Sequence, residues 1–201
     1  MPRFSCACLL YLILQSFVSV CLAADTESPG IPEGLLKPLL TQYQQHRYTL
    51  DNDRYVALIN YRQPSSEPRF YLIDMVTEEV IGRYRVAHGR GSDPAHTGYA
   101  EFFSDRAGSK MSSVGFFRTG ETYMSETPGH GLSLRLEGIS ESNRNAADRL
   151  IVIHANHYME PAFIDRYGMP GRSHGCLVFS DADRNEIIEK LQSGALIYAV
   201  R

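Results

Sequence analysis

Cys176 closes the run Gly171-Arg172-Ser173-His174-Gly175-Cys176, and upstream of it His154 ends the apolar run Leu150-Ile151-Val152-Ile153. A thiol on a Gly-flanked turn, with histidines within reach, is the residue set for nucleophilic acyl transfer. A free thiol has a pKa of roughly 8.5, and a neighbouring imidazolium lowers it, so a resting thiolate near neutral pH is expected here. His154 and His174 are the available partners. In an extended segment His174 points the same way as Cys176 but stands several ångströms from it, whereas His154 arrives from a separate strand. His154 is therefore the expected general base, with His157 a weaker rival. Gly175 lets the backbone approach a bound carbonyl, so the amides of Gly175 and Cys176 are expected to face a developing oxyanion. Ser173 and Arg172 are expected to orient the turn rather than react.

Two other uses of these residues are open. Free cysteine is often buried simply as a small apolar group. His154, His157, His174 and Cys176 also have the ligand types of a zinc site. However, His154-x-x-His157 follows a strand rather than lying on a helix, and no further cysteine pair completes a familiar spacing. No metal or other cofactor is expected, since thiol acyl transfer needs none.

The first residues bear on the thiol directly. Arg3 precedes the apolar stretch from Cys8 to Leu14, which continues through Phe17 and Val18 to a small-residue exit at Ala23 and Ala24. This is the layout of a secretory signal peptide over residues 1–23. The stretch is short for a spanning helix, which needs about 20 apolar residues, and Gln15 and Ser16 interrupt it. Stable membrane insertion after cleavage is not expected. Cys6, Cys8 and Cys21 all lie in this leader, so the exported chain would keep Cys176 with no partner for an internal disulfide. An unpaired thiol is exposed to oxidation outside the cell, and a residue kept there more often has chemistry to do.

Loss of Arg3 takes the formal charge from -3 to -4, with 19 basic against 23 acidic residues. That mild acidity, with no basic stripe, argues against nucleic acid. The remaining chain, about 175 residues, suits one domain over residues 34–201 after a flexible lead over 24–33.

The elements that must position the site alternate in rhythm. Leu35-Leu36, Leu39-Leu40 and Tyr43 recur at helical spacing, which predicts an amphipathic helix near 34–47 with Pro38 early in it. Short apolar or alternating runs then predict strands at 55–59, 69–73, 80–86, 113–117, 132–136 and 150–153. Residues 88–130, rich in Gly, Ser, Asp and Thr, form a long loop region of the kind that borders a site. Ser180 caps a helix running to Gly194, and Ala195–Val200 reads as a closing strand. The fold class expected is mainly β with two or three flanking helices.

At its histidine and cysteine the chain resembles the L,D-transpeptidases of the YkuD type, whose signature is a histidine at a strand end followed, after an interval, by Ser/Thr-His-Gly-Cys. His154 is the first element and Ser173-His174-Gly175-Cys176 the second. The resemblance extends toward the murein L,D-transpeptidase catalytic domain branch through His88-Gly89-Arg90-Gly91-Ser92, Ser112-Ser113-Val114-Gly115-Phe116, Thr119-Gly120-Glu121-Thr122-Tyr123, His130-Gly131-Leu132-Ser133-Leu134-Arg135-Leu136 and Asn143 through Arg149. Ala155 departs from the Gly usual after the histidine, and Val178 stands where many members carry Asn or Arg. The interval from His154 to Cys176 is also slightly long.

The resemblance implies a β-sandwich or barrel-like catalytic domain that binds the tetrapeptide stem of peptidoglycan and cuts the bond between the third residue's L-centre and terminal D-alanine. Cys176 would attack that carbonyl while His154 handles the proton, and His88 and Tyr123 would line the stem groove. An amine from a neighbouring stem or a lipoprotein lysine would resolve the thioester as transpeptidation, and water as carboxypeptidation. A noncatalytic wall-binding module could use the same cleft. The expected location is outside the cytoplasm, in a periplasm.

Overall fold

The computed structural model describes residues 31–201. The expected leader, residues 1–23, and residues 24–30 of the expected lead lie outside the described residues. Ile31 is already buried, so packing starts ahead of residue 34.

Eight strands form one sheet: β1 Tyr55–Asn60, β2 Phe70–Asp74, β3 Glu79–Tyr84, β4 Gly115–Met124, β5 Leu132–Gly138, β6 Val152–Ala155, β7 Leu177–Phe179 and β8 Leu196–Val200. Their order is β3-β2-β1-β8-β4-β5-β6-β7, a mainly β half-barrel rather than two facing sheets. β1 runs parallel to β8 and β6 parallel to β7, while the other neighbours are antiparallel. Three α-helices flank it: α1 Glu33–His46, α2 Pro161–Tyr167 and α3 Asp181–Leu191.

β1, β2 and β8 are continuous apolar runs because both faces of that half of the sheet are covered. Val56, Leu58, Tyr71, Ile73 and Leu196 pack under Leu35, Leu39 and Tyr43 of α1. The alternate residues, Ala57, Ile59, Phe70, Leu72, Ile197 and Ala199, face the main core with Ile187, Ile188 and Leu191 of α3. Leu134, Ile153, Leu177 and Phe179 continue that core into β5, β6 and β7. The other face of β6 and β7 is thereby left to the site.

The expected helix near 34–47 and the closing strand are present as α1 and β8. β4 runs on from the expected 113–117 segment to Met124, through Arg118–Thr122, whose polar residues hid it. β6 begins at Val152 rather than Leu150, because Leu150 adopts a left-handed conformation at φ 55° and is 70% exposed.

Candidate active site

β6 and β7 are parallel, and a parallel pair needs a long crossover. Here the crossover carries a 3-10 turn at His157–Met159 and then α2. The long interval between His154 and Cys176 is the length of that crossover. The register pairs Ile153 with Leu177 and His154 with Val178, and Ile153 and Leu177 face the main core. Alternation then turns His154 to the opposite face, and Cys176 lies at the bend just ahead of β7. One strand spacing and two residue rises separate their Cα atoms by about 8 Å.

The turn that presents Cys176 is tied down from several sides. Ser173 N–H donates to His88 O at 2.9 Å and Arg90 N–H to Ser173 O at 2.8 Å, an isolated parallel bridge between residues 88–90 and the turn. Ser173 Oγ donates to Cys176 O at 2.9 Å and accepts from Gly175 N–H at 3.0 Å. Gly175 has φ 121°, and an added Cβ would stand 2.7 Å from Met111 O, so no other residue fits there. Arg172 Nη1 donates to Asp93 O and, at 3.3 Å, to Pro94 O. Ser173 and Arg172 thus hold the turn through its own backbone and through the 93–94 segment. The Gly175 N–H is already engaged by Ser173 Oγ, which corrects the expectation that it faces an oxyanion.

Cys176 is partly buried and touches both the main core and the small cluster of Ala87, Met159 and Val178, beside Tyr158. Its S–H donates to Leu150 O at 3.6 Å. Burial pushes the thiol pKa up, opposed by the Val152 N–H and the Arg149 charge. His154 is 3% exposed. Its Nδ1 faces Ala155 O at 2.8 Å. A carbonyl only accepts, so the proton sits on Nδ1 and Nε2 carries the basic lone pair. Burial lowers the imidazole pKa to about 4, helped by nearby His130 and Arg184 and opposed by the Ala155 bond. The site therefore rests as neutral thiol and neutral imidazole. This differs from the expected resting thiolate beside an imidazolium, because burial disfavours the charged form of each group.

His130, unplaced by sequence, stacks on His154 with ring centroids 3.6 Å apart. Arg184 Nη1 donates to His130 O at 2.8 Å, fixing that loop over His154. The sequence set His130 within the His130–Leu136 motif but gave it no partner, since a stacking contact leaves no spacing rule.

His174 is exposed on the turn, and burial, Arg90 and Lys110 lower its pKa. His157 is exposed in the crossover, edge-on to Tyr158 and Phe163. The zinc grouping is not assembled: among the described residues no three His, Cys, Asp or Glu side chains are placed to hold a metal ion.

His88 does not line a groove. It is fully buried, with Nδ1 at 2.8 Å from Arg69 Nη2 and Nε2 at 3.2 Å from Asp93 Oδ2. Arg69 is always a donor, so Nδ1 accepts and Nε2–H donates to Asp93. Arg69, itself fully buried, also donates to Val86 O and Gln63 O. Asp93 further accepts from the N–H groups of Thr97 and Gly98, both at 2.8 Å. This network supports the backbone that grips Ser173 and Arg172. Tyr123 is half-buried on β4, its ring 4.5 Å from the Arg135 guanidinium. Its cross-strand partner is Ser133, and Ser133 stands between it and the strand of His154.

The sequence of residues 27–200 matches the model of the YkuD_2 family, described as the L,D-transpeptidase catalytic domain. The chain belongs to this family. No curated protein matches the chain. Among solved structures the L,D-transpeptidase domain is similar to an L,D-transpeptidase from Mycobacterium smegmatis, at 13% identity over 74% of this chain and 59% of that one, with a TM-score of 0.41. It is similar also to L,D-transpeptidase 3 from Mycobacterium tuberculosis, solved with a faropenem-derived adduct, at 14% identity, 74% and 60% coverage and a TM-score of 0.42. A third likeness is to the L,D-transpeptidase from Xylanimonas cellulosilytica, at 14% identity, 73% and 60% coverage and a TM-score of 0.41. Each match spans about three-fifths of the neighbour's chain.

Proposed function

We propose that this L,D-transpeptidase domain is a cysteine acyltransferase of peptidoglycan stem tetrapeptides. The observation that carries the reading is Cys176 on its Gly175 turn beside a neutral, Nδ1-protonated His154 on the adjacent parallel strand. Substrate entry swings the thiol from Leu150 O toward Nε2 of His154. As Sγ attacks the carbonyl of the third stem residue, Nε2 takes the thiol proton, and the Cys176 N–H meets the oxyanion. Collapse breaks the bond to D-alanine, whose amine leaves with the proton from Nε2, and a thioester remains on Cys176. An acceptor amine then attacks, Nε2 takes its proton, and the thiol is regenerated as the new amide leaves.

The acceptor is an amine of a neighbouring stem or a lipoprotein lysine. The signal-peptide layout of residues 1–23 and the wall substrate together support export to a periplasm. Among the described residues no helix is long and apolar enough to cross a membrane. Mass analysis of muropeptides incubated with the pure enzyme tests the reading: dimers with loss of D-alanine support transfer. Trimmed tripeptides alone would make water the acceptor, and unchanged tetrapeptides would reject the catalytic reading in favour of a wall-binding module.

A further inference from the structure

Arg149 lies in the chain just ahead of β6, and its side chain is 4% exposed. Nη1 donates to Ser104 O at 2.9 Å and Ser113 Oγ at 2.6 Å, and Nη2 donates to Met111 O at 2.6 Å. All three anchors belong to one loop, residues 104–113. On its other side the guanidinium abuts the Cys176 turn, since a Cβ added at Gly175 would stand 3.0 Å from Nη2. The acid on this cation is Asp105, at 3.4 Å, which also accepts from Asn145 N–H and Ser113 Oγ. A permanent cation is thus wedged, largely dry, between a loop and the nucleophile.

We propose that Arg149 is a positioning residue of the active site, its guanidinium pinning loop 104–113 against the Cys176 turn and supplying the fixed positive charge that stabilises the thiolate as the proton leaves.

The need follows from the resting state. Burial disfavours the thiolate on Cys176 and the imidazolium on His154 alike, so moving the proton between them separates charge in a site with little water. A cation that is already in place supports the anion with no reorganisation when the reaction occurs. The other groups facing the sulfur do not supply this charge. His154 on β6 is neutral, Tyr158 on the crossover is a phenol whose pKa burial pushes well above its ordinary value, and His174 on the turn is exposed near Arg90 and Lys110. Arg149 is the charged group whose field lowers the Cys176 pKa.

The inference rests on Cys176 being the nucleophile, yet its test reads the thiol without substrate. The rate of iodoacetamide alkylation is followed against pH, with peptide masses locating the label at Cys176. In Arg149→Gln the midpoint is expected to rise by about one pH unit or more. Arg149→Lys, which keeps the charge, moves it less. Asp105→Asn, which removes the balancing anion, moves it down. A role in structure alone would lower the melting temperature of Arg149→Gln and leave the midpoint in place. A folded Arg149→Gln with the parent midpoint overturns the proposal. If that variant does not fold, Asp105→Asn decides, and a midpoint unchanged or raised there overturns it. Thiol titration as expected, together with no release of D-alanine from stems, would reject the substrate reading and leave this role for Arg149 standing.

Discussion

At the scale of residues the site works by withheld charge. Cys176 rests protonated on Leu150 O, and His154 rests neutral with its lone pair on Nε2. A general base contributes on the order of 100-fold or more to such a step. His154→Ala is therefore expected to lower D-alanine release by at least that factor, and His157→Ala to change it little, because His157 sits in the exposed aromatic cluster of the crossover. Initial rates of release from a tetrapeptide stem measure both, and the reverse order would name His157 as the base. The thiol, the imidazoles and the glycine-flanked turn stood out in the sequence because reactive side chains, and a backbone free of a Cβ, are properties of residue type. Arg69, Asp93, His130 and Leu150 were not readable. They act through burial, a carbonyl direction or a ring contact, none of which leaves a spacing pattern. His88 misled for the same reason: the family resemblance implied a groove residue, while the fold closes over it.

At the scale of elements the decisive device is the β6 to β7 crossover. β7 has three residues and α2 seven, so neither reaches the length at which periodicity separates helix from strand. Sequence therefore yielded the two ends of the crossover, His154 and the Cys176 turn, without the elements between them. The long alternating and apolar strands, and the two longer helices, were readable because burial on a fixed face imposes a period. α1 illustrates what that burial is worth. Leu39 is fully buried against Val56, Leu58, Tyr71 and Ile73, on the sheet face away from the main core. Leu39→Ala is expected to cost roughly 2–4 kcal/mol of stability. His154 on β6 and Cys176 just ahead of β7 stand at the other end of the sheet, so kcat measured well below the melting temperature should stay near the parent value. Urea titration and steady-state rates check the two halves, and a large loss of kcat at retained fold would show that α1 shapes the site.

At the scale of the whole molecule the buried histidines link stability to pH. His88 and His154 are each held near pKa 4 by burial, against an ordinary 6.5. Unfolded, each binds a proton below about 6.5, while the folded chain refuses it until about 4. Stability is thus full above 6.5 and falls as the pH drops toward 4, by on the order of 3 kcal/mol per histidine. Asp74 and Asp93, held below the ordinary carboxylate value, add their loss only at lower pH. Denaturant midpoints at pH 7, 5.5 and 4.5 test this, and His88→Gln is expected to flatten the fall. A stability curve level across that range would contradict neutral, buried imidazoles.

The central claim is that Cys176 carries the stem as a thioester. Intact-protein mass spectrometry on enzyme quenched during turnover of a tetrapeptide stem tests it most directly. The predicted result is one added mass equal to the stem acyl group without D-alanine, located on Cys176 and absent from Cys176→Ala, which also releases no D-alanine. Release of D-alanine by folded Cys176→Ala at the parent rate would contradict it.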